Sequence, residues 1–524
     1  MSGSANLPAP YRGIAQDVPQ AAIQSPFCYK LMNFNTTNQG IALRNGDTSF
    51  SNTTVANLGS TLVFGQYGDT ALFAMIYDTA TTEMKVYNCE TDALVWTGGA
   101  LGFIQYHPQF FNKYLFFFTT SVVAGPGIYW NGTIWGNVGY TGSGFIPRTG
   151  GNNYNHRNYI IQDGECAYWY SEIDAISGAL TKVDLSGIVD QLTTLANVAQ
   201  ITLSDQVSTI TLQCFCMADG QILFYSGSYP DGNDWQLAGK AKVGQLVSLY
   251  DSVFSYQGDA IILSDSGIAS LRDLFLKGSQ SATLLALSRP AQETWNFLIK
   301  SARAGTPSGP LSAAIKGVWD SLNSRVYVVL PYFYSPYNAS SFTNNGNFFF
   351  VFDALRDAWT FHSSTWPGVG MVPSHFFYYK NKKLYTPSGT TSIVVLEKEG
   401  STGFMDRNAT DSADVSYDFD LVTAPIPLPK TGVSSISGVE PIIESDLYAQ
   451  TSYKFIADLG RQTTEVQIVE DQGTSIAKPL ANVGLQQSTM AQLQISGSTV
   501  TGKTVGLKLY NFNIWYDSGE RGSR

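Results

Sequence analysis

The sequence predicts an all-β protein: a β-propeller of six or seven blades, preceded by an extended N-terminal arm and followed by a C-terminal β-sandwich. A strand-turn-strand unit recurs, as in residues 127–135 (GIYWNGTIW) and 349–361 (FFVFDALRDAWTF). In each, an apolar strand ends in a polar turn and the next strand opens on a Trp, which is typical of an antiparallel hairpin. Turn clusters recur at roughly 8 to 12 residues, and the larger units match the ~40 to 45 residues of a four-stranded blade.

The N-terminal arm is assigned to residues 1–50. This segment contains Pro8, Pro10, Pro19 and Pro26 and shows no sustained hydrophobic periodicity, so we expect it to be extended and to order on a neighbouring subunit or on the ring above it. The propeller is assigned to residues 51–400. Its candidate blades are 58–99, 102–141, 153–186, 201–244, 245–278, 312–363 and 368–400. The fifth and seventh are short, so both six and seven blades agree with the sequence.

Two segments inside the propeller break the β pattern. Residues 186–200 place apolar side chains at helical spacing, and residues 288–304 do so more strongly, with Trp295 and Ile299 on one stripe. We expect helices inserted between blades near both segments, and we interpret their apolar stripes as core.

The C-terminal domain is assigned to residues 401–524. A loop rich in Gly, Asp, Asn and Ser leads to a spacer with three alternate prolines, and alternating apolar and polar runs follow. Strict alternation, as in 505–512, indicates half-buried antiparallel strands. We therefore predict a separate β-sandwich here.

The composition indicates a surface that other subunits cover. Charged residues make up 14% of the 524 residues, against about 25% in ordinary domains. The chain also has 29 Tyr, 30 Phe and 10 Trp, and aromatic residues are enriched at protein interfaces. The alternative is that the aromatic residues serve only the strands themselves.

The charge argues against tight nucleic-acid binding. The formal net charge is −10, whereas proteins that grip a duplex neutralise its phosphates with Lys and Arg. A neutral or acidic surface would still let DNA slide past without sticking. The N-terminal residues lack a secretory signal pattern, and no apolar run reaches the ~18 residues of a membrane helix.

The cysteines and histidines give no local support for a metal site or a disulfide framework. Five cysteines form no CxxC pair and are expected to be reduced and buried: Cys28, Cys89, Cys166, Cys214 and Cys216. The four histidines, His107, His156, His362 and His375, are scattered along the chain. The sequence thus predicts no cofactor and no metal.

Candidate groups for catalysis are few, and the sequence predicts a non-enzymatic protein. A GxSxG elbow and a GxGxxG motif are absent from the sequence. Paired carboxylates of a glycosidase could come from Asp163, Glu165, Glu172 and Asp174, although charged residues at strand ends are more often solvated turn groups. Residues 231–234 (DGND) could hold Ca²⁺, but an Asp-Gly turn is the commoner explanation.

Several segments together resemble the propeller proteins of short-tailed bacteriophages. They include 7–14, 31–34 and 40–46 near the start, the blade turns 129–135 and 350–359, the helix at 288–304, the strand at 383–385, and 514–519 at the end. The resemblance spans nearly the whole chain. It implies a tail nozzle or tail-hub protein, a six-membered ring at the distal end of a short tail through which the genome leaves.

The leading hypothesis is therefore a virion component that forms a conduit and gate for DNA. The resemblance implies partners in a homohexameric ring, a portal-adaptor ring protein above it, tail fibres or receptor-binding proteins, and dsDNA in transient passage. It implies location in the virion, with assembly in the host cytoplasm. Two alternatives remain open: a glycosidase that acts on host surface polysaccharide, which needs carboxylates converging in one pocket, and a glycan-binding propeller with aromatic residues exposed on one face.

Overall fold

The computed structural model describes most of the chain. The described residues are 2–50, 61–78, 80–98, 106–119, 125–204, 209–249, 251–278, 287–296, 299, 315–330, 347–364, 373–387, 393–397, 406–407, 414–415, 417–427, 434–445, 447, 451–457, 462–467, 481–488, 490–499 and 506–518.

Seven small antiparallel sheets follow one another along the chain. Blade 1 comprises β6 (Thr61–Tyr67), β7 (Ala71–Asp78), β8 (Glu83–Asn88) and β9 (Ala93–Gly98). Blade 2 comprises β10 (Tyr106–Phe111), β11 (Tyr114–Thr119), β12 (Gly127–Trp130) and β13 (Trp135–Asn137). Blade 3 comprises β15 (Pro147–Tyr154), β16 (Arg157–Gln162), β17 (Ala167–Tyr170) and β19 (Thr181–Asp184). A short parallel pair precedes and interrupts it, β14 (Gly139–Thr141) and β18 (Ser177–Ala179).

The remaining blades follow the same order. Blade 4 comprises β20 (Leu195–Ser204), β21 (Thr209–Met217), β22 (Gln221–Ser226) and β23 (Gln236–Lys242). Blade 5 comprises β24 (Val253–Tyr256), β25 (Asp259–Ser264) and β26 (Gly267–Ser270). Blade 6 comprises β27 (Lys316–Asp320), β28 (Arg325–Leu330), β29 (Asn347–Asp353) and β30 (Ala358–Ser364). Blade 7 comprises β31 (Pro373–Tyr379), β32 (Lys382–Pro387), β33 (Val394–Leu396) and β5 (Thr48–Ser49).

The seven sheets close into a ring. The first strand of each blade contacts the first strand of the next, and β31 of blade 7 contacts β6 of blade 1. The turns that join first to second strands and third to fourth strands lie at one end of the propeller, the turn end. There, the Asn112 side chain donates to the Asp174 carbonyl oxygen across blades 2 and 3 at 3.0 Å. Across the closure, Lys380 and Tyr379 of blade 7 both bind Glu90 of blade 1. The described residues therefore form seven blades.

The two short blades have different explanations. Among the described residues blade 5 has three strands, and the helix α1 (Leu271–Lys277) follows its last described strand and buries Leu271 and Leu274. Blade 7 takes its fourth strand, β5, from the N-terminal segment. The propeller is thus closed by a strand that lies more than 300 residues away in sequence.

The hairpin turns have the structure that their residues predict. The Asn131 side-chain oxygen accepts the N–H groups of Thr133 and Ile134, at 2.9 and 2.8 Å, before Trp135 opens β13. The carboxylate of Asp353 accepts the N–H groups of Leu355 and Arg356 in the same way, at 3.1 and 3.2 Å. A side-chain acceptor two or three residues before the N–H groups stabilises a tight turn, so the recurring unit is confirmed.

One of the two predicted helices is wrong and the other is confirmed where it is described. Residues 195–204 form β20, the first strand of blade 4, and Leu192 is 81% exposed rather than part of an apolar stripe. Residues 289–291 form a 3-10 helix, and 292–296 and 299 are α-helical. Trp295 and Ile299 are buried there on one face. Among the described residues, no helix is long and apolar enough to cross a membrane.

The C-terminal segment forms two packed sheets together with the N-terminal strands. One sheet comprises β1 (Ser2–Pro8), β3 (Phe34–Thr36), β4 (Ile41–Leu43), β38 (Ser434–Ser445), β41 (Ala481–Ser488) and β43 (Leu507–Ser518). The other comprises β2 (Cys28–Met32), β36 (Asp418–Thr423), β37 (Ile426–Pro427), β39 (Thr451–Ala457), β40 (Gln462–Gln467) and β42 (Met490–Ser498). A separate pair joins β34 (Asp406–Arg407) and β35 (Asp414–Val415). Buried side chains that these sheets share include Phe34, Leu421, Tyr453, Leu493 and Leu509.

The N-terminal segment differs from the expected arm. It is extended, but β2 lies between β30 of blade 6 and β36, so that blade 6 and the second sheet form one ten-stranded sheet. Its side chains Ile14, Cys28 and Leu31 are buried in the same core. The segment therefore packs within its own chain, because the C-terminal sheets leave strand edges and apolar surface that it fills. All five cysteines are free and buried.

Deletion of residues 1–50 is expected to abolish the cooperative fold. The deletion removes β2 from the middle of the ten-stranded sheet and β5 from blade 7, so both domains lose a strand and core side chains. Near-UV circular dichroism during thermal unfolding measures this loss. Deletion of residues 1–8 alone removes an edge strand and serves as the control. A sharp unfolding transition of the longer deletion, at the wild-type temperature, would contradict the assignment.

Candidate functional site

The four carboxylates considered for hydrolysis do not converge. Asp163 and Glu165 lie in the turn between β16 and β17, whereas Glu172 and Asp174 follow β17 at the turn end. Since successive strands run in opposite directions, these two pairs lie at opposite ends of blade 3. Each pair also meets cations: Glu165 binds Lys182 at 2.6 Å, and Glu172 approaches Arg157 at 3.3 Å.

The loop 231–234 uses its carboxylates within the protein. The Tyr170 hydroxyl donates to Asp231, and the Ser228 hydroxyl donates to Asp234 at 2.6 Å. Among the residues that the structure describes, no group of three or more His, Cys, Asp or Glu side chains is arranged to hold a metal ion. The loop is therefore best described as a turn between β22 and β23.

The histidines occupy different environments. His156 is exposed at the turn end, where its Nδ1 lies 3.2 Å from Asp174, and His362 is fully buried in β30. The side chains of His107 and His375 lie outside the described residues.

The most unusual chemical feature is a buried group of charged side chains, here called the ionic cluster. It lies where the N-terminal segment meets blades 6 and 7. Its members are Arg44, Asp47, Asp320, Arg325, Asp353, Arg356, His362, Lys383 and Glu397. With His362 neutral, four cations face four carboxylates, so the formal charges balance.

Blade 7 contributes the centre of the ionic cluster. Lys383 on β32 lies 3.1 Å from Asp320 at the end of β27 and 3.6 Å from Glu397, which follows β33. Glu397 also accepts hydrogen bonds from the Tyr327 hydroxyl and from the Asn35 amide, the latter at 2.9 Å. These contacts join blade 6, blade 7 and the N-terminal segment.

Arg44 holds the N-terminal segment in the same cluster. Its guanidinium, which is 0% exposed, contacts the Asp47 carboxylate at 3.2 Å and donates to the Ser363 carbonyl oxygen of β30 at 2.6 Å. It lies 4.1 Å from the ring centre of Tyr417, whose hydroxyl donates to the Arg44 carbonyl oxygen. Asp47 in turn accepts the Glu397 backbone N–H at 2.9 Å. Arg44 and Asp47 therefore fix the segment immediately before β5, the strand that closes the ring.

The charges determine the ionisation of the cluster. Burial alone would raise the pKa of Glu397, but the positive charges around it and the Tyr327 hydroxyl outweigh burial and hold its pKa well below its usual range. Burial would lower the pKa of Lys383, but Tyr327, Glu397 and Asp320 raise it. Both groups therefore stay charged at neutral pH. Burying charges costs free energy that close pairing offsets, so the arrangement depends on all its members.

His362 is the imidazole of the ionic cluster, and it is fully buried. Burial lowers its pKa to about 4, assisted by Arg44 and Arg325, although the neighbouring Glu397 acts in the opposite direction. Its Nε2 lies 3.2 Å from the Phe34 carbonyl oxygen, and its Nδ1 lies 3.3 Å from Glu397. His362 thus connects β30 to β3 through Nε2, whereas its Nδ1 faces Glu397 without a hydrogen bond.

Stability is expected to fall on acidification because of His362. Its pKa falls from 6.5 in the unfolded chain to about 4 in the folded chain, so the unfolded state binds more protons between these values. The free energy of unfolding should decrease by about 3 kcal/mol as the pH falls from 6.5 to 4. Urea unfolding at a series of pH values measures this.

Two variants test the assignment of that pH dependence. His362→Gln should flatten the dependence between pH 6.5 and 4. His156→Gln should leave it unchanged, because the His156 side chain is 78% exposed. An unchanged slope in His362→Gln would contradict the assignment.

Comparisons with known proteins find structures of low similarity, among them β-propellers and a lyase. No family model and no curated protein matches the chain. Among solved structures, the β-propeller domain of Myceliophteria thermophila Swd1 is 8% identical, with a TM-score of 0.39, and the match covers 67% of this chain and 99% of that one. A Staphylococcus aureus virginiamycin B lyase is 8% identical, with a TM-score of 0.37 and coverage of 66% and 97%. YCF48 bound to D1 peptide is 7% identical, with a TM-score of 0.36 and coverage of 70% and 96%.

Sequence reasoning missed the ionic cluster. Arg44 lies in the segment 40–46 that carries the phage-protein resemblance, but its buried partners could not be read from the sequence. One available signal was the presence of charged residues within or beside apolar strands of a chain with few charges, as at Arg325, Lys383 and Glu397.

Proposed function

We propose that this chain is a structural virion protein that forms the distal nozzle ring of a short phage tail. Six copies form the ring, which serves as a conduit and gate for genome ejection and as a platform for fibres. The resemblance of segments along nearly the whole chain to propeller proteins of short-tailed phages supports this proposal. The protein acts through binding and assembly rather than catalysis.

The observation that carries the proposal is the exposed apolar surface at the turn end. Four large aliphatic side chains lie at tips of turns there: Ile134, Ile173, Leu322 and Leu355, with exposed fractions of 58, 60, 55 and 71%. Such turn positions normally carry Gly, Asn, Asp, Ser or Pro. Large apolar side chains are also exposed elsewhere, as at Leu192 and Leu276, but these four share one end of the propeller, and exposed apolar surface is typical of protein contacts. Neighbouring copies in a ring would cover them.

The charge distribution agrees with a passage for DNA. The chain has 41 Asp and Glu against 31 Lys and Arg, and described carboxylates exposed at the turn end include Asp69, Glu172, Asp174, Asp231 and Asp357. An acidic or neutral lumen repels phosphate and lets the duplex pass without salt-dependent retention. In this proposal dsDNA passes through the ring during ejection and is not a permanent ligand.

The separation of the carboxylates in blade 3 favours this role over hydrolysis. A glycosidase needs two carboxyl groups on either side of one glycosidic bond, and the turn positions of Asp163 and Glu165 are at the opposite end of the blade from Glu172 and Asp174. In the proposed setting, a portal-adaptor ring protein lies above this chain and tail fibres attach beside it. The protein is located in the virion after assembly in the host cytoplasm.

Labelled imaging of particles tests the proposal. Antibody fragments raised against the purified chain, applied to phage particles and viewed by electron microscopy, should mark the distal tip of the tail. Labelling along fibres alone would favour a receptor-binding module, and no labelling of virions by an antibody that binds the purified chain would overturn a structural virion role.

A further inference from the structure

The N-terminal strand β1 is attached to the molecule along one edge. Among the described strands it pairs with β43 alone, in a seven-residue antiparallel register from Ser2 opposite Asp517 to Pro8 opposite Asn511. Asn6 is exposed and its amide donates to Asn513 at 2.7 Å, while Leu7 is partly buried against the core. A short edge strand of this kind opens at a lower free energy than a central strand.

The packing beneath β1 is incomplete. A small open crevice of about 10 Å³, enough for about one water molecule, lies at its C-terminal end, lined in part by Leu7, Pro8, Pro10, Phe27 and Phe512. Side chains that border a crevice lack contacts on one side. Detaching β1 therefore costs less free energy than detaching a strand that is buried on both sides.

The connector that follows β1 is short and firmly anchored at its far end. Within it, the Tyr11 N–H donates to the Ala9 carbonyl oxygen at 2.7 Å, and the Gly13 N–H donates to the Pro10 carbonyl oxygen at 3.0 Å, so the chain turns tightly. Gly13 has a positive φ of 72°, and its backbone lies so close to the Trp359 backbone that a Cβ atom would clash. Ala9 is buried and its N–H donates to the Tyr510 carbonyl oxygen at 3.1 Å, so the exposed residues 11–12 are the hinge between this edge strand and the fixed core.

From these observations we propose that β1 is exchanged between copies of this chain. The β1 strand of one copy pairs with β43 of the next copy in the register that it adopts within one chain. Because the exchanged pairing reproduces the same backbone hydrogen bonds and the same Leu7 contact, its cost is restricted to opening the hinge and joining two chains. Head-to-tail exchange around six copies closes a ring. The proposal rests on the proposed nozzle ring for its setting, but the exchange is testable without it.

Engineered cysteines detect the exchange directly. The native cysteines are all buried among the described side chains, whereas Asn6 and Asn513 are register partners with touching side chains, which places two Cβ atoms within reach of a disulfide. Two single variants of the full chain, Asn6→Cys and Asn513→Cys, are mixed, incubated and oxidised with diamide, which takes up the two protons and two electrons released. A covalent dimer on a non-reducing gel is expected.

Two controls define the result. The double variant with both substitutions in one chain shows that the disulfide forms when the strands pair. The second control mixes the single variants Lys454→Cys and Gln494→Cys. These residues are register partners on β39 and β42, in the middle of a sheet, so this mixture should give no covalent dimer. If the double variant forms its disulfide within single chains and the mixed variants give no dimer, the exchange proposal is overturned.

The outcome separates this proposal from the proposed function. A covalent dimer without any ring by native mass spectrometry would support the exchange and count against the nozzle. Rings of wild-type chain with no cross-link in the mixture would overturn the exchange alone. In rings of the double variant, exchange predicts reducible multimers up to the ring size, whereas pairing within each chain predicts monomers.

Discussion

Replacement of Glu397 by Gln is expected to destabilise the protein by about 3–5 kcal/mol. Glu397 contacts Lys383 and His362 and accepts hydrogen bonds from Tyr327 and Asn35. Loss of its charge leaves the buried ammonium of Lys383 with one fewer counter-charge in a site from which water is excluded. Chemical unfolding monitored by tryptophan fluorescence measures the change.

A surface ion pair supplies the matched control for Glu397. Glu165 binds Lys182, with both side chains about a third to a half exposed, so Glu165→Gln should change stability by less than about 1 kcal/mol. Equal effects of the two substitutions would show that the ionic cluster does not hold blades 6 and 7 to the N-terminal segment.

Replacement of Trp359 by Ala is expected to cost about 3–5 kcal/mol. The indole is 1% exposed, its N–H donates to the Leu287 carbonyl oxygen at 2.6 Å, and it contacts the rings of Phe350 and Phe352. The substitution leaves a large cavity at the junction of blade 6 with the N-terminal segment. Thermal unfolding followed by circular dichroism measures the loss.

Trp515 is the comparison for Trp359. It is 43% exposed on β43, so Trp515→Ala should shift the free energy of unfolding far less. A wild-type unfolding temperature in Trp359→Ala would contradict the assignment of this residue as a blade core residue.

The parts of the fold that depend on local chemistry could be predicted from the sequence. Asn131 and Asp353 initiate turns through their own side chains. The hairpins that make up the blades can therefore be predicted from short segments of sequence. The observed blade 1, Thr61–Gly98, lies within the predicted 58–99. The helix predicted for 186–200 is wrong because the inner strand β20 has four consecutive buried residues, from Leu195 to Val198. A strand buried on both faces lacks the alternation of apolar and polar residues that marks a half-buried strand.

The closure of the ring and the ionic cluster depend on distant parts of the chain. The closing strand β5 is two residues long and polar, so it carries no hydrophobic pattern. The contact between Asp47 and the Glu397 backbone joins residues 350 positions apart. Neither a period nor a motif encodes such a pairing. In the sequence, the short length of the segment predicted for blade 7 is the feature that points to a strand supplied from elsewhere in the chain.

The symmetry of this chain in intact particles tests the account most directly. Cryo-electron microscopy of the tail tip, reconstructed without imposed symmetry and combined with quantitative protein analysis of purified virions, gives both arrangement and copy number. The account predicts six copies in one closed ring around the tail axis. Isolated copies located on fibres, away from the tail axis, would contradict it.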